Sequence, residues 1–164
     1  MRISTPGARA LVSAAMAATI LVSTTAATPA AATGSREAAQ VIAIAKAQRG
    51  DPWRYGASGP SAFDCSGLVI YAFRAAGDLR LIGNGNYRSA RALYKYFRDR
   101  GRTSRTKATP GDLVVWGYGS HVGIYLGGGM AISTLTSGVR IHGVHAVRAP
   151  FTAFLRTGLY QLSN

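Results

Sequence analysis

One cysteine, three histidines and six acidic residues are the reactive side chains of greatest interest in this 164-residue chain. Cys65 stands in Asp64-Cys65-Ser66-Gly67, directly before Leu68, Val69, Ala72, Phe73 and Ala76, whose spacing predicts a buried helical face ending at Gly77. Asp64 falls at the N-cap position. A thiol in the first turn of a helix feels unpaired backbone N–H groups and the positive end of the macrodipole, and both favour thiolate. The same N–H groups can stabilise an oxyanion forming on an attacked carbonyl, with that of Cys65 the first candidate.

A thiol nucleophile needs a base. His121 opens His-Val-Gly-Ile-Tyr, where strand alternation turns Val122 and Ile124 to one face and His121, Gly123 and Tyr125 to the other. An imidazole at that strand's start can face the helix that carries Cys65. A third group should accept the other ring N–H. Because no Asp or Glu follows Asp112, the candidates are Ser133, His142 and a backbone carbonyl, with surface polarity an equal explanation of His142. No His/Cys/Asp cluster has metal-ligand spacing, so neither a metal nor another cofactor is expected.

The elements that must position these groups follow from pattern. Ser35 to Gln48 predicts a helix capped by Ser35, with Ala38, Val41, Ile42 and Ala45 on one face, stopped by Arg49-Gly50-Asp51-Pro52. Trp53 to Phe63 reads as loop, and Ser89 to Phe97 as an aromatic and basic helix. From Gly101 the period becomes that of strands, at 112–116, 121–126, 130–134, 139–144 and 153–157, with Gly127-Gly128-Gly129 a hairpin turn. Asp112 is expected to fix the turn at its own strand. Helices followed by closely connected strands predict an α+β fold with an antiparallel sheet.

Residues 1–32 read as a secretory signal peptide: Arg2 and Arg9 precede a short run rich in Ala and Thr, with small-residue cleavage points after Ala30 or Ala32. The run is too short, and lacks the basic flank, for a stable membrane anchor. Residues 33–164 then form one domain. The chain carries 19 basic against 6 acidic residues, all but Arg2 and Arg9 of the basic ones beyond the leader. No nucleic-acid-binding signature accompanies this charge. It suits an anionic cell-wall polymer, and the basic residues Arg88, Arg91, Lys95, Arg98, Arg100, Arg102 and Arg105 supply a landing surface or simply a solvated face. A lone cysteine excludes an internal disulfide.

Four motifs, in order, resemble the NlpC/P60 family of papain-like cell-wall cysteine peptidases. They are Asp51-Pro52-Trp53-Arg54-Tyr55-Gly56, Phe63-Asp64-Cys65-Ser66-Gly67-Leu68-Val69, Pro110-Gly111-Asp112-Leu113-Val114 and His121-Val122-Gly123-Ile124-Tyr125-Leu126-Gly127. The resemblance implies a papain-like α+β fold, N-terminal helices packed on a small antiparallel sheet, in a monomeric secreted or wall-associated protein. It implies hydrolysis of amide bonds in peptidoglycan stem peptides, commonly between D-glutamate and a diamino acid, with Cys65 as nucleophile and His121 as general base. Two positions depart from the family pattern. Ser133 stands where a His, Glu, Asp or Gln is usual, and Trp53 where a Tyr is frequent. Ser133 is therefore the third catalytic candidate, and Trp53, Tyr55 and Ser66 are the oxyanion or substrate-positioning candidates. The departures also admit a non-catalytic, basic wall-binding module, and the same cysteine admits an acyl or peptidyl transferase.

Overall fold

The computed structural model describes Met1 and residues 29–159, with side chains described from Arg36 onward. Most of the expected signal peptide lies outside the described residues. The architecture is α+β: among the described residues three α-helices, α1 (Pro29–Ala47), α2 (Cys65–Ala75) and α3 (Ala90–Arg98), precede strands β1 (Thr103–Ser104), β2 (Leu113–Trp116), β3 (His121–Gly127), β4 (Met130–Leu135), β5 (Gly138–Gly143) and β6 (Phe151–Leu155). The strands form one antiparallel sheet in the order β1-β6-β2-β3-β4-β5.

α2 is the central element, packed between α1 on one side and strands β3 and β4 on the other. Leu68, Val69, Ile70, Ala72 and Phe73 are all buried, as expected of a helix with neighbours around most of its circumference. α1 contributes Ala38, Val41 and Ala45 to that core. α3 turns Ala90, Leu93 and Phe97 inward and leaves Arg91, Lys95 and Arg98 exposed. Its first turn is closed by Ser89, whose hydroxyl accepts from Ala92 N at 3.1 Å.

The two faces of the sheet have different tasks. Leu113, Val115, Val122, Ile124 and Ile132 join the main core beneath the helices. Val114, Trp116 and Ala131, on the other face, form a second cluster closed by Val144 and by the partly buried Phe151 and Phe154. Register pairs Trp116 with His121 and Ala131 with His142, so both imidazoles belong to this second face.

Several expected boundaries shift. The backbone of α1 begins at Pro29, so Ser35 lies inside the helix and does not cap it. The last strand spans Phe151–Leu155 in place of 153–157. Its end is set by Asp112, buried at the start of β2, whose Oδ1 accepts from Thr157 N at 2.9 Å while Oδ2 accepts from Thr109 N at 2.8 Å. The carboxylate draws residue 157 out of the sheet and holds the Pro110-Gly111 turn, the turn-fixing role expected of it. Strand β1 and a single 3-10 turn, Leu79–Ile82, are too short to carry a period and were not foreseen.

Removing the carboxylate would leave two N–H groups without their partner. We expect Asp112→Ala to lower unfolding free energy by about 2–3 kcal/mol, read from urea denaturation. A change under half a kcal/mol would show that the clasp is unimportant.

Candidate active site

The start of α2 is held by a local network. Asp64 is extended at φ −93°, ψ 175°, and its Oδ1 accepts from Gly67 N at 2.6 Å. The Ser66 hydroxyl lies 2.9 Å from both Asp64 Oδ1 and the Arg88 carbonyl, either of which can accept its proton. The loop before the helix crosses close above it: Asp64 N donates to Ala57 O at 2.8 Å. A Cβ on Gly67 would stand 2.0 Å from that same carbonyl, so only glycine admits the approach. The partner brought close by Gly67 is thus the protein's own backbone.

That loop carries Trp53 and Tyr55. Phe63 N donates to Pro52 O and Arg54 N to Phe63 O, at 3.1 and 3.0 Å, while Gly50 and Asp51 exchange backbone hydrogen bonds with Val139 at the edge of the sheet. Trp53 is 45% exposed and Tyr55 88%, which leaves both rings available to a ligand. Arg88 closes the opposite side, donating to Gly56 O at 3.2 Å and standing 3.7 Å from Asp64 Oδ2.

Helix and sheet meet at a cleft of about 560 Å³ whose lining includes Trp53, Tyr55, Cys65, Ser66, Arg88, His121 and Thr134. Trp53, His121 and Thr134 also line an adjoining groove of about 430 Å³ that runs to Arg148. Thr134 is buried, and its Oγ1 has no hydrogen-bond partner among the described residues. Cys65 is partly exposed here. The backbone N–H groups of Val122, next to His121, and of Ser66 and Cys65 itself favour the thiolate form of the cysteine. Cysteine and histidine are therefore gathered at one place, around the first residues of β3.

Burial pushes the Cys65 thiol above its ordinary pKa, and the Asp64 charge acts the same way; the three N–H groups pull it down without prevailing. The expectation that the helix end favours a resting thiolate is corrected accordingly, because desolvation outweighs the helix end. His121 is pushed down to about 4, by burial first and then by charge repulsion from His142. At neutral pH the pair rests as thiol and neutral imidazole, the form in which a histidine can act as base.

Ser133 meets His121 directly: Oγ lies 2.9 Å from His121 Nε2. On its other side the same oxygen is 2.8 Å from His142 Nε2. His142 is thus joined to the site, which surface polarity does not explain. Trp116, fully buried, lies with its ring 5.3 Å from that of His121 and 5.6 Å from that of His142, and its Nε1 donates to Val144 O at 2.6 Å. A Cβ on Gly123 would stand 2.8 Å from Ser133 Cβ and 3.3 Å from the Trp116 ring, so this glycine makes room for both. Trp116 and Arg88 escaped sequence reasoning, since one read as strand core and the other as surface charge. Pairing Trp116 with His121 across the two-strand hairpin was the available signal. Ser66 lines the cleft, with its hydroxyl turned to Asp64 and the Arg88 carbonyl. No group of metal-ligating side chains occurs among the described residues.

A helix-borne cysteine beside a strand-borne histidine on an α+β frame defines the papain-like class. Within it, the chain belongs to the NlpC/P60 family, which it matches over residues 29–154. It is 43% identical over 108 residues to a probable endopeptidase p60 of Listeria grayi, covering 64% of this chain and 19% of that protein. The chain thus spans about a fifth of that relative. Among solved structures it resembles the peptidoglycan hydrolase RipB of Mycobacterium tuberculosis, at 30% identity and a TM-score of 0.60, covering 76% of this chain and 66% of the other. It also resembles RipD of the same organism, described as a non-catalytic NlpC/p60 domain protein adapted to peptidoglycan binding, at 27% identity and TM-score 0.58 over 73% of this chain and 95% of the other.

The depressed pKa of His121 carries a cost in acid. The unfolded chain binds this proton near pH 6.5 and the folded one only near pH 4, so stability is full above 6.5 and falls as pH drops toward 4. That loss is about 3 kcal/mol. In His121→Gln it should shrink by most of that amount, measured by denaturant unfolding across this window; an unchanged pH dependence would contradict the assignment.

Proposed function

We propose that this chain is a secreted or wall-associated cysteine peptidase that hydrolyses amide bonds in peptidoglycan stem peptides. The observation that carries the reading is the meeting of Cys65 and His121 in the lining of one open cleft. His121 takes the thiol proton as the sulfur attacks a substrate carbonyl. Backbone N–H groups at the start of α2 stabilise the oxyanion, Cys65's own foremost. His121 then protonates the leaving amine, a thioester remains, and water attacks it with His121 again as base.

The substrate class draws its support from family membership and from the endopeptidase and peptidoglycan-hydrolase descriptions of the relatives. The cleft and adjoining groove share Trp53 and His121, so an extended peptide can lie on both sides of the scissile bond. Trp53 and Tyr55 supply exposed aromatic surface for it. Residues 1–32 act as the export signal in this reading, and the domain works as a monomer. No helix among the described residues is long and apolar enough to cross a membrane. Anionic wall polymers fit the exposed stripe of Arg91, Lys95 and Arg98, which with Tyr94 and Tyr118 lines a shallow groove of about 380 Å³.

RipD's description gives substance to a second reading, a wall-binding domain without catalysis. The connection of Ser133 to His121 favours the peptidase, because it supplies the orienting contact a catalytic imidazole requires. Mass analysis of purified wall fragments separates these readings. Wild-type protein should create new amine termini, and Cys65→Ser should slow their appearance on the order of a thousandfold or more. Binding without new termini would establish the wall-binding module instead. Amide exchange with an added amine acceptor, in place of hydrolysis, would indicate a transferase.

Adhesion should depend on salt if the basic stripe contributes. Raising ionic strength from about 0.01 to 0.15 M shortens the Debye length from about 30 to 8 Å and should weaken wall binding severalfold. Arg91→Ala/Lys95→Ala/Arg98→Ala should flatten that response in a sedimentation assay. An unchanged salt response would reduce the stripe to a solvated face.

A further inference from the structure

We propose that His142 is a positioning residue which, acting through Ser133, holds His121 in the tautomer able to accept the proton of Cys65. The inference deepens the peptidase reading above and rests on it for its catalytic consequence.

The hydrogen-bond train is anchored at its far end by a backbone carbonyl. His142 Nδ1 lies 3.0 Å from the carbonyl oxygen of Gly143. A carbonyl can only accept, so Nδ1 bears the hydrogen and, in the neutral ring, Nε2 bears the lone pair. That nitrogen is 2.8 Å from Ser133 Oγ, and the serine hydroxyl must donate to it. Having one hydrogen, Ser133 can then only accept from the other side. His121 Nε2, 2.9 Å away, is therefore the protonated nitrogen, and His121 Nδ1 keeps its lone pair.

Without His142 the serine would be ambivalent. A hydroxyl donates or accepts with similar ease, and if Ser133 donated to His121 Nε2, the hydrogen of the neutral ring would sit on Nδ1. Neither nitrogen would then be a free base. A carboxylate in Ser133's place would have no such ambiguity, since it only accepts. His142 restores to the hydroxyl the one-way character that a carboxylate has by nature.

The surroundings fix this train in space. The buried Trp116 ring lies against both imidazoles. Its donation to Val144 O ties it to the segment just beyond Gly143, the residue that anchors His142. Ser133 is itself fully buried, where few alternative partners compete.

The test combines kinetics on wall peptides with nitrogen-15 NMR of the histidine rings. Wild-type His121 should show the hydrogen on Nε2; a hydrogen on Nδ1 would overturn the proposal whatever the activity. His142→Phe should lower kcat about tenfold or more with KM little changed and should populate the other His121 tautomer. His142→Gln, whose amide oxygen can accept from Ser133, should recover most of kcat. The double variant Ser133→Ala/His142→Phe should be no slower than Ser133→Ala alone, because His142 acts only through the serine. Full activity in His142→Phe, equal losses in Phe and Gln variants, or losses that multiply in the double variant would each overturn it. Should the wild-type protein cleave nothing, the peptidase reading fails, while the ring spectra still decide how Ser133 and His142 set the tautomer.

Discussion

Everything at this site depends on the first turn of α2 being pressed against the start of β3. The contact is crowded because Gly67 has no side chain, which lets the Ala57 carbonyl cross the helix at a distance no Cβ would allow. Asp64 accepts from the helix's Gly67 N–H and donates its own N–H to that same Ala57 carbonyl. The result is a cysteine whose thiolate form is favoured by backbone N–H groups from two different elements, though not enough to offset burial. Shifting α2 by one turn would remove both the nucleophile and its setting.

Crowding has an electrostatic consequence. Desolvation moves the cysteine up and the histidine down, so neither group ionises on its own account near neutral pH. The site stores no ready-made ion pair. In the proposed peptidase a proton passes between the two groups as a bond to carbon forms, with the charges that arise met by N–H groups already in place. A base kept neutral by burial is useful only if its lone pair lies on the correct nitrogen. The second face of the sheet, with Ser133, His142 and Trp116, answers that requirement, while the first face answers to the hydrophobic core.

Much of this was legible in the residues. Cys65 before an apolar helix, Asp64 as its cap, and His121 at the head of an alternating strand together predicted the α+β arrangement and the pair, and the four motifs predicted the family. What escaped notice has physical reasons. Ser35 looked like a cap because it is a good one, yet local preference does not fix where a helix begins. The last strand ends at Leu155, short of the expected 157, where a buried carboxylate far away in sequence holds Thr157 N. His142 could not be distinguished from surface polarity, since its partner lies across β4 and β5 and is offset in register. Trp116 looked like core, and it is core; only the pairing of β2 with β3 brings the ring beside His121. Burial likewise cannot be weighed against a helix dipole until the number of neighbours is known.

In the proposed peptidase His121 receives the proton of Cys65. Alkylation of the wild-type protein and of His121→Ala by a small neutral electrophile, followed from pH 5 to 10, tests it most directly, since Cys65 is the chain's single thiol. Near pH 7 the wild-type thiol should react at least about tenfold faster, and removal of the imidazole should leave a rate rising only with the ionisation of an isolated buried thiol. Superimposable profiles for the two proteins would mean that the two side chains are neighbours without being partners.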